Sequence, residues 1–115
     1  MLSSPAKRAR KTCEIICKFV GFDWNAVVIK KRLYFEGEEA ILRVLQGLDD
    51  KVSTVAVFSH NPDLDSFLRQ CGRSPDLPDF PTCGCACVEF AGSSWKEIRF
   101  DQARMTSFVT PKMFK

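Results

Sequence analysis

The sequence predicts an α/β domain with a mainly parallel sheet and an antiparallel hairpin towards its carboxyl terminus. Apolar residues recur at helical spacing in three segments, which alternate with short runs rich in β-branched residues. One run, STVAVF at 53–58, is apolar almost throughout, which is typical of a strand buried on both faces in a parallel sheet. Because 115 residues allow one core, we expect a single domain over 1–115.

The element boundaries follow from residues that start or stop regular structure. Ser4 followed by Pro5 predicts a helix start, with a hydroxyl cap and then proline at the first helical position. Gly21 is a natural helix end, and Gly92-Ser93-Ser94 is expected to form the hairpin turn. In chain order, we expect helices over 5–20, 38–48 and up to Gly72. Over 26–34 we expect a short strand that runs into a loop, and further strands at 53–58, 83–90, 95–100 and 105–109.

The composition and charge argue against a membrane protein. No stretch approaches the ~18 consecutive apolar residues of a membrane helix. The start, MLSSPAKRARK, lacks the apolar run of a secretory signal, so we expect a cytoplasmic protein with no membrane partner. The net charge of +3 favours anionic ligands without requiring nucleic acid.

The positive charge is concentrated in two short clusters, one at residues 7–11 and one at 30–32. Such a run most often forms a solvated face. No aromatic residue is interleaved with the KRARK run, as stacking of single-stranded nucleic acid would require. We therefore expect no nucleic-acid partner.

The six cysteines are expected to be free thiols in a reducing cytoplasm. Cys13 and Cys17 lie four apart on the first predicted helix and would pack as small buried hydrophobes. Cys83, Cys85 and Cys87 alternate along a predicted strand, so all three point to one face. Their spacing is not that of a structural zinc site, and the single histidine is distant in sequence. We expect core packing and no metal.

Two predicted strand ends share one design, and together they suggest a phosphate-sized anion site. At Ser3-Ser4-Pro5 and at Ser59-His60-Asn61-Pro62, a strand meets a helix start that contains proline. Ligands of open α/β sheets bind beyond the carboxyl ends of the strands, where helix amino termini attract anions. His60 lies at one junction, and Arg8 lies one turn into the helix at the other. Arginine can bind two phosphate oxygens at once.

The same two segments resemble a known family. SSPAKRARKT is similar to the S-S-x-x-x-R-A-x-x-T segment of the histidine phosphatase superfamily, and FSHNPDL resembles its (V/G)-G-H-N-P-x-L segment. LYFEGEEAILRVLQGLDD and LPDFPTCGCACVEF look like the small phosphohistidine phosphatases, the SixA-like group. The resemblance runs from Leu2 to roughly Phe100 and implies a phosphoglycerate-mutase-like fold, a three-layer sandwich.

The resemblance also implies roles for individual residues. Arg8 and His60 would bind the phosphoryl oxygens, and His60 would stabilise the charge of the transition state. Ser59 and Asn61 would shape the phosphate-binding turn, with Asn61 as the cap of the following helix. Glu36 is a weak candidate for a proton donor. The family uses no metal or cofactor, and its substrates include phosphohistidine-containing proteins.

The sequence departs from the family in one decisive respect. The family's nucleophile is a histidine in an R-H-G segment on the first strand, whereas this chain has one histidine and no R-H-G segment. We therefore expect a histidine phosphatase domain that is incomplete at its amino terminus and inactive by the family route. The alternative is a non-catalytic remnant or a module that recognises phosphoryl groups. Without the first strand, we also expect self-association through an exposed sheet edge.

Overall fold

The computed structural model of the chain describes residues 1–72 and 85–109. It is a mixed α/β structure, which confirms the predicted fold class at this level. Short 3-10 turns cover Trp24–Ala26, Lys31–Leu33, Trp95–Glu97 and Phe100–Gln102. The helices and strands, in chain order, are β1 (Leu2–Ser3), α1 (Lys7–Val20), β2 (Val28–Ile29), α2 (Glu38–Gln46), β3 (Val57–Phe58), α3 (Asp63–Gln70), β4 (Cys85–Phe90) and β5 (Ala103–Val109).

β1, β2 and β3 form a small parallel sheet in the order β2-β1-β3, with β1 in the centre. Leu2 lies opposite both Val28 and Val57. The predicted strand 53–58 is therefore shorter than expected, and its two paired residues are half-buried. Within the described residues β3 pairs on one side only, so the prediction that it is a central strand buried on both faces is wrong there.

α1 begins two residues later than predicted, and Ser4 is not its cap. The residue preceding the helix is Ala6, and it makes no side-chain capping bond. The hydroxyl of Ser4 instead points across the sheet edge and accepts a hydrogen bond from the Ala6 backbone N–H at 3.2 Å. Gly21 ends the helix in the left-handed region with φ of 74°, as predicted. This conformation reverses the chain and returns it towards β2.

The segment between α1 and α2 contains a short strand that runs into a loop, as predicted. Of the range 26–34, only Val28 and Ile29 pair with β1, and both are exposed. A 3-10 turn follows because Leu33 is drawn into the interior, where none of its surface is accessible to solvent. The turn leaves Tyr34 and Phe35 exposed at the carboxyl edge of the sheet.

α2 and α3 are confirmed, with α2 ending at Gln46 rather than at residue 48. Their apolar faces pack together with the sheet and the carboxyl-terminal hairpin. Within the described residues, no helix is both long and apolar enough to cross a lipid bilayer. The residues buried in this core are Leu2, Leu33, Ile41, Leu45, Phe67, Leu68, Cys71 and Ile98.

The antiparallel hairpin exists, but its partner strand differs from the one predicted. β4 pairs with β5, whereas the predicted strand 95–100 consists of two 3-10 turns. Two contacts hold this segment away from β4. The indole N–H of Trp95 donates to the Val52 carbonyl at 2.7 Å, and Ile98 is buried in the core. The predicted turn at 92–94 therefore belongs to a longer connection.

Of the five cysteines within the described residues, Cys13, Cys17 and Cys71 are buried, and Cys85 and Cys87 are exposed. Cys13 and Cys17 are buried on α1, as predicted. Cys85 and Cys87 share one face of β4, but that face is exposed, while Ala86 and the alternate residues after it face the core. The prediction of core packing is therefore wrong for these two thiols. Cys83 lies outside the described residues.

Candidate anion-binding site

The two junctions predicted to line one crevice lie side by side. The backbone N–H of Ser4 donates to the Phe58 carbonyl at 2.8 Å, and the Ser4 hydroxyl lies 2.7 Å from Nε2 of His60. This proximity follows from the topology, since β1 and β3 are parallel neighbours and their carboxyl ends share one edge. The structure thus brings the SSP and SHNP segments together around a single imidazole.

The Ser4–His60 contact defines which ring nitrogen of His60 carries the proton. Ser4 is fully buried, and its oxygen already accepts from the Ala6 N–H, so its own proton requires an acceptor. Nε2 of His60 supplies that acceptor. We infer that the neutral imidazole is protonated on Nδ1. Within the described residues Nδ1 has no hydrogen-bond partner, which leaves one donor for a ligand.

Two aromatic side chains surround the imidazole. The ring of Phe35 stacks on His60 with 4.7 Å between centroids and 18° between planes, and Tyr34 meets it edge-on at 5.7 Å. Phe35 has a φ of 54°, in the left-handed region that residues other than glycine rarely adopt. Such strain costs about 1–3 kcal/mol and is concentrated at functional sites. The conformation presents the Phe35 ring to His60.

The protonation of His60 is controlled by burial and by one carboxylate. Desolvation lowers the pKa of His60 below its ordinary value, while the charge of Asp63 opposes that shift. Asp63 is buried and accepts a hydrogen bond from the Gly37 N–H at 3.1 Å. This bond fixes the loop that carries Phe35. At neutral pH His60 is therefore an uncharged hydrogen-bond donor rather than a cation.

Ser59 and Asn61 each make a hydrogen bond that fixes the turn on either side of His60. The Ser59 hydroxyl donates to the Leu33 carbonyl at 2.6 Å, which ties β3 to the aromatic loop. The Asn61 side-chain oxygen accepts from the Asp65 N–H at 3.2 Å. Asn61 thereby caps the first turn of α3, although the N-cap position itself is occupied by the next residue, Pro62. Neither contact is itself evidence for a ligand.

Arg8 is the second residue of α1, and its side chain is exposed. The first turn of α1 contains no acidic side chain, whereas the first turn of α3 contains Asp63 and Asp65. The positive end of the α1 dipole is therefore free for an external anion, whereas Asp63 and Asp65 compensate the positive end of the α3 dipole. Of the two helix starts predicted to attract an anion, α1 is the suitable one.

Glu36 lies in the loop between Phe35 and Gly37, and its side chain is exposed. It is adjacent in sequence to the ring that stacks on His60. Its role as a proton donor stays a prediction.

A hydroxyl beside an imidazole also occurs in serine hydrolases, where the serine attacks a carbonyl group. Ser4 is unsuited to that role because none of its surface is accessible, so a substrate carbonyl cannot approach its Oγ. Its hydroxyl is already committed to Ala6 and His60. Ser4 therefore positions the imidazole and is not a nucleophile.

Four contributors to the site were not predicted from the sequence: Ser4 as the partner of His60, the aromatic pair Tyr34 and Phe35, and Asp63. Phe35 carried no sequence signal, because a phenylalanine with positive φ cannot be recognised from residue type. Asp63 could have been noticed, since it lies three residues after His60 on a predicted helix start. Among the described residues, no group of three histidine, cysteine or acidic side chains is arranged to hold a metal ion.

Comparison with known proteins identifies one relative of undetermined role. The chain is 27% identical over 120 residues to an uncharacterized protein from Mycobacterium leprae (strain TN), an alignment that spans 97% of this chain and 71% of the relative. No family model matches the chain. No solved structure matches it either.

Proposed function

We propose that this chain carries the phosphoryl-binding part of a histidine phosphatase site of the small phosphohistidine phosphatase type. In this proposal Arg8 and His60 bind the oxygens of one phosphoryl group, and Ser59 and Asn61 hold the turn around it. The finer fold that accompanies the proposal is a phosphoglycerate-mutase-like three-layer sandwich. We also propose that the protein is located in the cytoplasm, where thiols stay reduced. The five described cysteines are all free, in keeping with this location.

One observation carries the proposal: the contact between Ser4 Oγ and His60 Nε2 at 2.7 Å. It supports convergence of the two motif segments, since Ser4 lies four residues before Arg8, the second residue of α1. A phosphoryl group at this edge would meet the guanidinium of Arg8, the amino terminus of α1 and the Nδ1–H of His60. Charge-assisted hydrogen bonds of this kind are roughly twice as strong as neutral ones.

The chemistry available to these residues is oxyanion binding and charge stabilisation. Arg8 neutralises phosphoryl charge, and a neutral His60 donates a hydrogen bond that strengthens as charge develops on the oxygen. Transfer by the family route needs a second histidine as nucleophile, and the 115 residues contain one. Hydrolysis by that route would depend on a histidine from outside these residues.

A second candidate function is phosphoryl recognition without turnover. The presence of a single histidine favours it, because a site with Arg8 and His60 alone can bind a phosphoryl group but has no nucleophile. A phosphohistidine hydrolysis assay separates the two functions. The chain alone and the chain joined to a strand ending in R-H-G would be compared, and turnover by the joined form alone favours the phosphatase.

The direct test is equilibrium binding of inorganic phosphate or vanadate by calorimetry. Arg8→Ala and His60→Ala should each weaken binding by about tenfold or more, because each removes a hydrogen bond to a charged group. Arg10→Ala is the matched control, since it removes the same charge from the same helix. Unchanged binding in the Arg8 and His60 variants, or equal losses in all three, would refute the proposal.

A further inference from the structure

An open cleft of about 500 Å³ runs beside the amino-terminal half of α1. One of its lining residues, Pro5, directly follows Ser4, the serine whose hydroxyl contacts His60. Cationic side chains line its helical wall. The residues that line the cleft are Pro5, Lys7, Arg10, Lys11, Glu14 and Trp24.

The structure brings an aromatic residue to the basic run that the sequence had separated from it. Gly21 ends α1 in a left-handed conformation, and the reversed chain places Trp24 in the wall of the cleft that Lys7 and Lys11 also line. The side chain of Trp24 is half-buried. The KRARK run therefore has an aromatic neighbour in the folded chain, although no aromatic residue is interleaved with it in the sequence.

The three cations of the cleft are available to a partner. Within residues 1–72 and 85–109, Lys7, Arg10 and Lys11 are exposed and none forms an ion pair. The carboxylate at the far end, Glu14, faces Lys18 at 4.0 Å. Positive charge thus lies along the helical wall of the cleft from Lys7 to Lys11, and Glu14 follows it.

We propose that this cleft docks an acidic segment of a phosphorylated protein whose phosphoryl group lies at Arg8 and His60. The proposal rests on the proposed function and names its substrate class. From Lys7 to Glu14 the helix rises about 10 Å, which exceeds the size of one phosphoryl group. A peptide that places two or three carboxylates along Lys7, Arg10 and Lys11 matches this length and charge.

The cleft fits nucleic acid less well. Binding of single strands relies on successive stacking aromatics, and among the described residues Trp24 is the single aromatic residue that lines this cleft. Glu14 would also face the phosphate backbone of a longer polyanion. A short acidic peptide can end before Glu14 and rest its apolar atoms on the Trp24 ring.

The test is fluorescence polarisation with peptides that contain a stable phosphohistidine analogue. One peptide carries aspartate and glutamate around the analogue, and a second carries asparagine and glutamine instead. The acidic peptide should bind about tenfold more tightly, a difference that shrinks as salt is raised, because exposed ion pairs are screened. Arg10→Glu with Lys11→Glu should abolish the preference and leave inorganic phosphate binding within about twofold of the control.

The control is the double variant Lys51→Glu with Lys96→Glu, which makes the same change in net charge. Lys51 precedes β3, at the end of the sheet opposite the candidate site. Lys96 lies near Lys51, because the neighbouring Trp95 donates a hydrogen bond to the Val52 carbonyl. This variant should keep the preference for the acidic peptide. An equal loss in both double variants would overturn the docking proposal, as would equal binding of the two peptides.

Two further ligands complete the experiment. An acidic peptide without the phosphoryl analogue separates the two proposals. If it binds as tightly as the phosphorylated one and still depends on Arg10 and Lys11, docking stands and the phosphoryl site fails. Single-stranded RNA that binds more tightly than the acidic phosphopeptide, and is lost with Arg10 and Lys11, would identify nucleic acid as the occupant and overturn the proposal.

Discussion

At the scale of single residues, Ser4 connects the two halves of the candidate site. Its backbone N–H completes the pairing of β1 with β3, and its hydroxyl bonds to His60. His60 is half-buried, and an imidazole nitrogen shielded from water that loses its partner costs more than the hydrogen bond alone is worth. Ser4 should therefore affect both the stability of the fold and the tautomer of His60.

Ser4→Ala is expected to destabilise the chain by about 1–3 kcal/mol, because it leaves His60 Nε2 without a donor. Ser3→Ala is the control, since Ser3 is equally buried but donates only to the neighbouring Ser4 carbonyl at 2.9 Å. Denaturant unfolding measures the cost, and ¹⁵N chemical shifts of His60 report the tautomer. A shift of the proton towards Nε2 in Ser4→Ala alone supports the assignment. Equal effects of the two variants contradict it.

The depressed pKa of His60 gives stability a definite dependence on pH. Since burial holds the folded-state pKa below the ordinary 6.5, the unfolded chain binds the proton first as the pH falls. The contribution of His60 is thus complete above the unfolded pKa and declines as the pH falls towards the folded one. Unfolding free energies measured from about pH 7.5 to 5.5 should decrease in the wild type and be flatter in His60→Gln.

At the scale of elements, the sequence predicted helices better than strands. The three helices were visible because apolar side chains recur on one face over two or more turns. β1 and β2 contain two residues each, too few for a pattern, and they form through pairing within the sheet, β2 with β1 and β1 also with β3. The error over 95–100 arose from distant contacts, since Trp95 and Ile98 bind to elements that local propensity does not reveal.

The glycine at the end of α1 is expected to be required for the return of the chain towards Trp24. Gly21→Ala should cost about 1–2 kcal/mol, because its φ of 74° disfavours a Cβ even though the space around it is open. Gly47→Ala is the control, since Gly47 has φ of −86° and its added Cβ would make ordinary contact with the Val44 carbonyl at 3.5 Å. It should be neutral or slightly stabilising. Thermal unfolding of the two variants compares them directly, and equal costs would refute the role given to Gly21.

At the scale of the whole molecule, the chain has both exposed apolar surface and an open strand edge. Within the described residues β3 has one partner strand, and α1 exposes 85% of Phe19 and 64% of Val20. Exposed strand edges and contiguous apolar surface both favour association. The apolar residues that α1 and the following loop expose are Ile15, Ile16, Phe19, Val20 and Phe22.

We therefore expect the chain to self-associate as its concentration rises. Light scattering coupled to gel filtration should give masses above 13.0 kDa at high concentration. The double variant Ile16→Glu with Phe19→Glu separates the helix face from the strand edge, because it leaves β3 intact. Association that persists in this variant points to the edge. A constant mass with a thermal transition independent of concentration would show that neither surface associates.

The candidate site was predictable only in part. The sequence identified the two junctions and the polar residues at them, because a histidine and an arginine near helix starts are visible as residue types. It did not reveal how His60 is held, since the partners Ser4 and Phe35 lie 56 and 25 positions away and are brought to it by the sheet and by a strained loop. Long-range contacts of this kind follow from the fold and not from spacing.

The central claim is that Arg8 and His60 bind one oxyanion, and nuclear magnetic resonance of the imidazole tests it most directly. The chain contains a single histidine, so its ring signals are unambiguous. Titration with inorganic phosphate should shift these signals and raise the pKa of His60, because the bound anion favours the protonated ring. Both effects should vanish in Arg8→Ala and persist in Arg10→Ala. His60 signals that phosphate leaves unmoved, or that respond alike in the two variants, would contradict the account.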